Sequence, residues 1–380
     1  MPLPALVASL LCMRGTSQQC HLDAFFGSVA NTAELLRGVS DRAFAKARSH
    51  LHVPALVGLN DTLLAGADAA GLVPRWQGFR LVAADASVLM PAIRRCTRTR
   101  RLAAADQRLF ALYLPGAELT LHAAVHSASV SERAMLANAL DALKPGDVLL
   151  LDRGYPAAWL VHLLNARGIG FIMRCDTVSG GWSGVRQFMR AGSAQAQISL
   201  SAPCKQDAAD WGCPALPPQV RVVRQVAPNG QVRVLMTNLP PEAAPADAFA
   251  DLYHRRWRIE EAFKRLKHRL HIEAVSGLSQ HALLVDVAAK VLADNIASLM
   301  CMGAQDSVQA QPGRQCLRTR ALQAAQRVLP RVLLAIGDVV ALIDDAFTLL
   351  ARSLRRRKPG RSSPRSNPKI KPHPSLAYKG

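Results

Sequence analysis

The sequence predicts an α/β fold, a mixed sheet with helices packed on it. Two observations carry this. Between residues 79 and 175, short apolar runs bounded by glycine and proline alternate with capped helical segments, in the order strand, two strands, helix, strand, helix, strand. At 380 residues and 50% hydrophobic composition, the chain can also bury a sizeable core and divide into two or three units.

Residues 1–78 read as helical and apolar, broken at Gly27, Gly38, Pro54 and Gly66. Ser40 is placed to cap a helix DRAFAKARSHL, with Phe44, Ala47 and Leu51 inward and Arg42, Lys46 and His50 outward. This N-terminal helical domain reads either as a DNA-binding unit or as a helical layer with a solvated basic face. FRLVAADASVLM, between Gly78 and Pro91, suits a buried strand with Asp85 at or near its end. Five arginines follow in the loop Arg94–Arg101. LFALYL and LTLHAAVHSA form a hairpin across Pro115-Gly116-Ala117-Glu118. Ser129 and Glu132 make an S-x-x-E capping box ahead of the helix ERAMLANALDALK. DVLLLDRGY is a second buried strand, ending in Asp152. The helix PAAWLVHLLNARG runs from Pro156 to Gly168, and GFIMRC is a further strand.

Residues 176–240 break this rhythm as a β-rich insertion, with alternating stretches AQISLS, VRVVRQV and QVRVLMTNL and an Asn-Gly turn at Asn229-Gly230. The α/β core resumes over 241–300 with a long helix. C-terminal helices occupy 301–354, and a basic tail, 355–380, is expected to be disordered.

Lys and Arg number 47 against 27 Asp and Glu, a formal charge of +20, which points to a polyanionic partner. The apolar run 281–302 carries Asp286, Lys290 and Asp294, so it is not expected to span a membrane. No basic segment precedes the apolar N-terminus, so a cytoplasmic protein without a signal peptide is expected. The eight cysteines include no CxxC, so neither a zinc site nor a disulfide framework is expected.

Asp85 and Asp152 each close an apolar strand. If those strands are neighbours, the two carboxylates share an edge and can hold a divalent cation of the Mg²⁺ or Mn²⁺ type. The helix PADAFADLYHRRWRIEEAFKRLKHRL offers a third acid. At about 100° per residue, Tyr253, Arg256, Glu260 and Lys267 fall on one stripe, beside a core-facing stripe of Leu252, Ile259, Phe263, Leu266 and Leu270. A solvated face with pairs such as Glu260–Lys264 is the plainer reading of the same charges.

Tyr253-x2-Arg256-x3-Glu260-x6-Lys267 resembles the signature of the DDE transposases of bacterial insertion sequences, in insertion sequence family four. Asp85-Ala86-Ser87 resembles that family's first motif, Asp152-Arg153-Gly154-Tyr155 its second, and TNLP (237–240) the approach to its third. Ala86 departs from the glycine most often found there. The likeness runs from Phe79 to Leu270. It implies a ribonuclease H-like core interrupted by the β-rich insertion, with Asp85, Asp152 and Glu260 as catalytic metal ligands for two Mg²⁺ or Mn²⁺ ions. It implies Arg153, Tyr253, Arg256 and Lys267 as DNA contacts, with Trp182 and Trp211 as candidates to hold a flipped base. The implied partner is double-stranded DNA, both transposon ends and target, bound by at least a dimer in the bacterial nucleoid. The reaction implied is cut-and-paste cleavage and strand transfer, with hairpin ends as an intermediate. A DNA-binding copy or regulator without catalysis is the alternative.

Overall fold

The computed structural model describes residues 1–13, 17–90, 107–177, 182–226, 230–277, 279–308 and 313–356. The arginine loop 94–101, the Asn229 side of the Asn-Gly turn and the tail beyond 356 lie outside them. The chain forms two compact units. One comprises residues 1–66, 89–107 and 264–380, and the other residues 67–88 and 108–263.

The first unit is helical. It holds α1 (Leu3–Cys12), α2 (Gln18–Val29), α3 (Asp41–Ser49) and most of α4 (Val53–Ala69). Ser40 caps α3, its side chain accepting from Ala43 N–H. Phe44 is buried as the amphipathic pattern requires, and so is Arg48, which the pattern left unassigned.

The second unit is built on a nine-stranded sheet. Its strands are β1 (Arg75–Trp76), β2 (Phe79–Leu89), β3 (Gln107–Leu114), β4 (Leu119–Ser127), β5 (Asp147–Leu151), β6 (Gly170–Arg174), β7 (Gln195–Ser199), β8 (Gln219–Val226) and β9 (Val232–Thr237). The order is β4-β3-β2-β5-β6-β9-β8-β7, with β1 added to β2. β2, β5 and β6 are parallel, whereas β6, β9, β8 and β7 pair antiparallel, so the sheet is mixed. The three alternating stretches of 176–240 are thus strands of this same sheet, joined to it through β9 on β6.

Arg80 and Asp147 lie opposite one another in the β2–β5 register. Arg80 Nε and Nη2 donate to Asp147 Oδ1 and Oδ2 at 2.7 and 2.6 Å, with both side chains buried. A slip of one residue would strand both charges in the core, so the pair fixes the register that brings Asp85 and Asp152 to neighbouring strands. Beyond β9, Asn238 replaces ladder bonding. Its side chain accepts from Phe171 N–H and donates to Ile169 O, both at 3.0 Å.

Helices α5 (Glu132–Asn138), α6 (Ala158–Ala166), α7 (Ser183–Ala191) and α8 (Lys205–Asp210) connect these strands. The cap of α5 is Ser131, which accepts from Ala134 N–H, and not Ser129; the helix is also shorter than expected, giving way to a 3₁₀ turn at 140–142. Ser129 hydrogen-bonds Ser127 instead. Past the end of α6, Gly168 turns the chain in the left-handed region at φ 62°.

The long helix expected after Pro245 is divided into α9 (Phe249–Arg255) and α10 (Arg258–His268). Around Arg256 the backbone bonds tighten to three-residue spacing, Arg256 N–H to Tyr253 O, Trp257 N–H to His254 O and Ile259 N–H to Arg256 O. This shifts the angular phase of the residues beyond it.

The last turn of α10 belongs to the first unit, followed by α11 (Gln280–Asp306), α12 (Arg318–Leu333) and α13 (Val339–Ala351). In α11 the charges of the apolar run are all buried. Asp286 accepts from Ser276 and faces Arg48; Lys290 donates to His271 O and Ala274 O; Asp294 pairs with Arg265 at 3.2 Å. Spaced four apart, they fasten the 265–277 segment to α11 as one face. Among the described residues no helix is long and apolar enough to cross a membrane.

Candidate active site

Parallel pairing of β2 with β5 ends at Ala83 and Leu150. Two residues on from these stand Asp85 and Asp152. β2 itself continues to Leu89, so Asp85 lies within the strand, past its last β5 partner, while Asp152 lies just beyond β5. Asp85 Oδ1 accepts from Ala86 N–H at 2.8 Å, and Asp152 Oδ1 accepts from Gly154 N–H at 2.8 Å. Each carboxylate is therefore held by a backbone N–H one or two residues further along its own chain.

Arg256, between α9 and α10, joins the acids. Its Nη1 reaches Asp85 Oδ2 at 3.4 Å and its Nη2 reaches Glu260 Oε1 at 3.3 Å. The guanidinium is buried and also lies 5.8 Å from the ring centroids of Tyr253 and Trp257. Burial pushes the Asp85 carboxyl up from 3.8 to about 6; Arg256 and the Ala86 N–H pull it down, while Asp152 and Glu132 push it further up. Burial opposes the charge on Arg256, but Tyr253, Asp85, Asp152 and Glu260 outweigh it and raise its proton affinity.

The other expected residues are placed less uniformly. Tyr253 is buried in a core cluster with Leu252, Phe249 and Leu81, so the stripe does not present it as a surface group. Arg153 is exposed beside Asp152. Lys267 is on the last turn of α10, in the first unit, where its Nζ lies 3.5 Å from Glu273 Oε1. Trp211 stacks on Trp159, with centroids 4.2 Å apart and planes 4° apart, so one of its faces is already covered. Trp182 caps the start of α7 half-exposed.

Two residues near the acids escaped the sequence reading. Glu132, at the start of α5, interacts with Asp152 strongly enough to raise its own pKa, after the larger effect of burial. Tyr155 is fully buried and feels the charges of Asp85, Glu132 and Asp152. The S-x-x-E pattern made Glu132 look like a capping residue, and DRGY showed Tyr155 only as part of a motif.

Among the described residues no three His, Cys, Asp or Glu side chains are close enough to hold a metal ion as they stand. The donor chemistry still suits one. The groups are carboxylate oxygens, as hard divalent cations require, and a cationic guanidinium sits between two of them.

Comparison with known proteins bears on this arrangement. The chain is 39% identical over 67 residues to the transposase for insertion sequence element IS421 of Escherichia coli, and equally so to the InsL protein of element IS186A of Escherichia coli strain K12. Each match takes in 17% of this chain and 18% of the relative, so the chain is matched to less than a fifth of these relatives' length. The solved piggyBac transposase synaptic complex with hairpin DNA aligns with 95% of this chain and 77% of its own, at 8% identity and a TM-score of 0.42. The family model of the transposase DDE domain matches residues 94–296, more than half of the chain, a span that takes in Asp152 and Glu260 and begins after Asp85. The chain therefore belongs to the transposase DDE domain family.

Proposed function

We propose that this chain is a DNA transposase of insertion sequence family four that cuts and rejoins phosphodiester bonds at the ends of its own element. Asp85, Asp152 and Glu260 are its catalytic acids, and the mixed sheet is a ribonuclease H-like core. One observation supports this most: Asp85 and Arg256, 171 positions apart, meet in a guanidinium bridge that also holds Glu260, beside the strand end that carries Asp152.

The three acids would hold two Mg²⁺ or Mn²⁺ ions, which when bound activate the attacking water or 3′-hydroxyl and stabilise the leaving oxygen. The chain's own residues set up that chemistry. Backbone N–H groups of Ala86 and Gly154 orient the aspartates. Arg256 keeps Asp85 and Glu260 together against their mutual repulsion. Arg153, exposed beside Asp152, and Lys267, on the helix of Glu260, supply positive charge for DNA phosphates. Tyr253 and Arg256 complete the DNA-contacting set, and both start from buried positions. The net charge of +20 favours double-stranded DNA, ends and target alike, with a strong salt dependence. A dimer on synapsed ends, cut-and-paste movement through hairpin ends and a place at the nucleoid complete the reading.

The test is Mg²⁺-dependent cleavage of a duplex carrying the element's terminal sequence. The wild-type chain should cleave it, and Asp85→Ala, Asp152→Ala and Glu260→Ala should each lose about a thousand-fold or more in rate while still binding the duplex. Near wild-type turnover in any one of them removes that residue from the catalytic set.

A further inference from the structure

Gly154 ties an acid to a base. Its N–H donates to Asp152 Oδ1 at 2.8 Å, and its carbonyl accepts from Arg133 Nε at 2.8 Å. A single residue thus separates one of the proposed catalytic acids from a guanidinium group. Beside it opens a cleft of about 390 Å³, lined by Arg108, Ser129, Ser131, Glu132, Arg133 and Gly154 among others. All of these belong to the second unit. Glycine keeps the wall next to Asp152 bare, since a Cβ there would sit 3.1 Å from Asp152 Oδ1 and 3.5 Å from Glu132 Oε2.

The lining carries two guanidinium groups against one carboxylate, together with the hydroxyls of exposed Ser129 and Ser131, so the cleft favours an anion. Arg133 spends Nε on Gly154, which fixes its plane. Its two Nη groups form the fork that matches the oxygens of a phosphate. Arg108 Nη1 lies 3.5 Å from Glu132 Oε1, with the two side chains 34% and 30% exposed. A pair this open is weakly held in water, so Arg108 can exchange the carboxylate for a phosphate. The cleft also answers a difficulty that the acids create. Asp85, Asp152 and Glu260 repel a polyanion, and a DNA strand lying over them needs fixed cations beside them.

We propose that this cleft is a phosphate subsite for the DNA strand, in which Arg108 and Arg133 bind a backbone phosphate neighbouring the one that is cut. Glu132 is the resting partner of Arg108 and gives way when DNA enters. The subsite rests on the transposase reading above and extends it to α5 and the start of β3, which hold none of the DNA contacts expected from the sequence.

The probe is a duplex carrying the element's terminal sequence, bound to the full chain without divalent ion over a range of salt. Arg108→Ala and Arg133→Ala should each weaken binding by about ten-fold and lower the slope of log affinity against log salt by about 0.9. Arg108→Lys, which keeps the charge, should restore the slope while recovering only part of the affinity. Glu132→Gln should bind at least as tightly as the wild type, because it releases Arg108. Circular dichroism and a denaturant midpoint on each variant establish that the fold is retained. If the wild type binds the duplex and both alanine variants keep its slope, the subsite falls while the transposase reading stands. It falls too if Arg108→Lys behaves as Arg108→Ala does, since the charge is then not what binds. A Glu132→Gln chain that loses as much affinity as Arg108→Ala would mean that the carboxylate supports binding, which the subsite forbids. A wild-type chain that fails to bind the duplex at any salt overturns the DNA reading itself, and the subsite with it.

Discussion

Asp85→Asn should make the protein more stable at neutral pH and should cease to do so in acid. The Asp85 carboxyl is shifted from 3.8 to about 6, chiefly by burial and despite Arg256. Each pKa unit corresponds to about 1.4 kcal/mol, so ionised Asp85 costs the folded state about 3 kcal/mol. The sign follows from proton binding. Between about pH 4 and pH 6 the folded chain holds a proton on Asp85 that the unfolded chain releases, so stability falls as pH rises through this window. Below it both states are protonated and the cost vanishes; above it the cost is complete. Asparagine keeps the shape and the acceptor for Ala86 N–H but carries no charge. Urea unfolding of both chains, with chelator present, at pH 3.5 and 7.5 measures the effect. The variant should gain up to about 3 kcal/mol relative to the wild type between the two pH values. A difference that stays constant with pH, or that favours the wild type at pH 7.5, would refute the view of Asp85 as a poorly solvated acid.

Other perturbations follow from the same geometry. Arg256→Ala leaves Asp85 and Glu260 facing one another without their cation, and should cost about 3 kcal/mol in denaturant unfolding, the low end for a broken buried pair because Glu260 is partly exposed. Arg80→Ala should cost about 3–5 kcal/mol by isolating buried Asp147, whereas replacing both residues by Met and Leu should cost much less, which a double-mutant cycle measures. Gly154→Ala pushes a methyl group to 3.1 Å from Asp152 Oδ1 and should cost about 1 kcal/mol in stability while weakening Mn²⁺ binding.

The strands were legible because burial on both faces leaves continuous apolar runs, as in Asp147–Leu151, where every residue is buried. That β2 and β5 are neighbours was only a condition in the sequence; the charge pair Arg80–Asp147, which imposes it, acts across 67 positions and has no local pattern. Periodicity placed Leu252, Ile259, Phe263, Leu266 and Leu270 correctly in the core. It did not show that Tyr253 and Arg256 are buried too, and its uniform 100° rotation did not foresee the tightening of the chain at Arg256. Glu132 was hidden by a capping motif whose cap proved to be Ser131. The charges of α11 were read only in part. Asp286, Lys290 and Asp294 counted only as arguments against a membrane span, although their four-residue spacing already marked a single face for buried partners.

The central claim, that Asp85, Asp152 and Glu260 converge on a single metal-binding site, is tested most directly by replacing Mg²⁺ with Fe²⁺ and generating hydroxyl radicals with ascorbate and peroxide, which cut the backbone near the bound metal. Cuts near residues 85, 152 and 260, all suppressed by excess Mg²⁺, are the expected result. Cuts confined to one of these positions, or lying elsewhere in the chain, would contradict it.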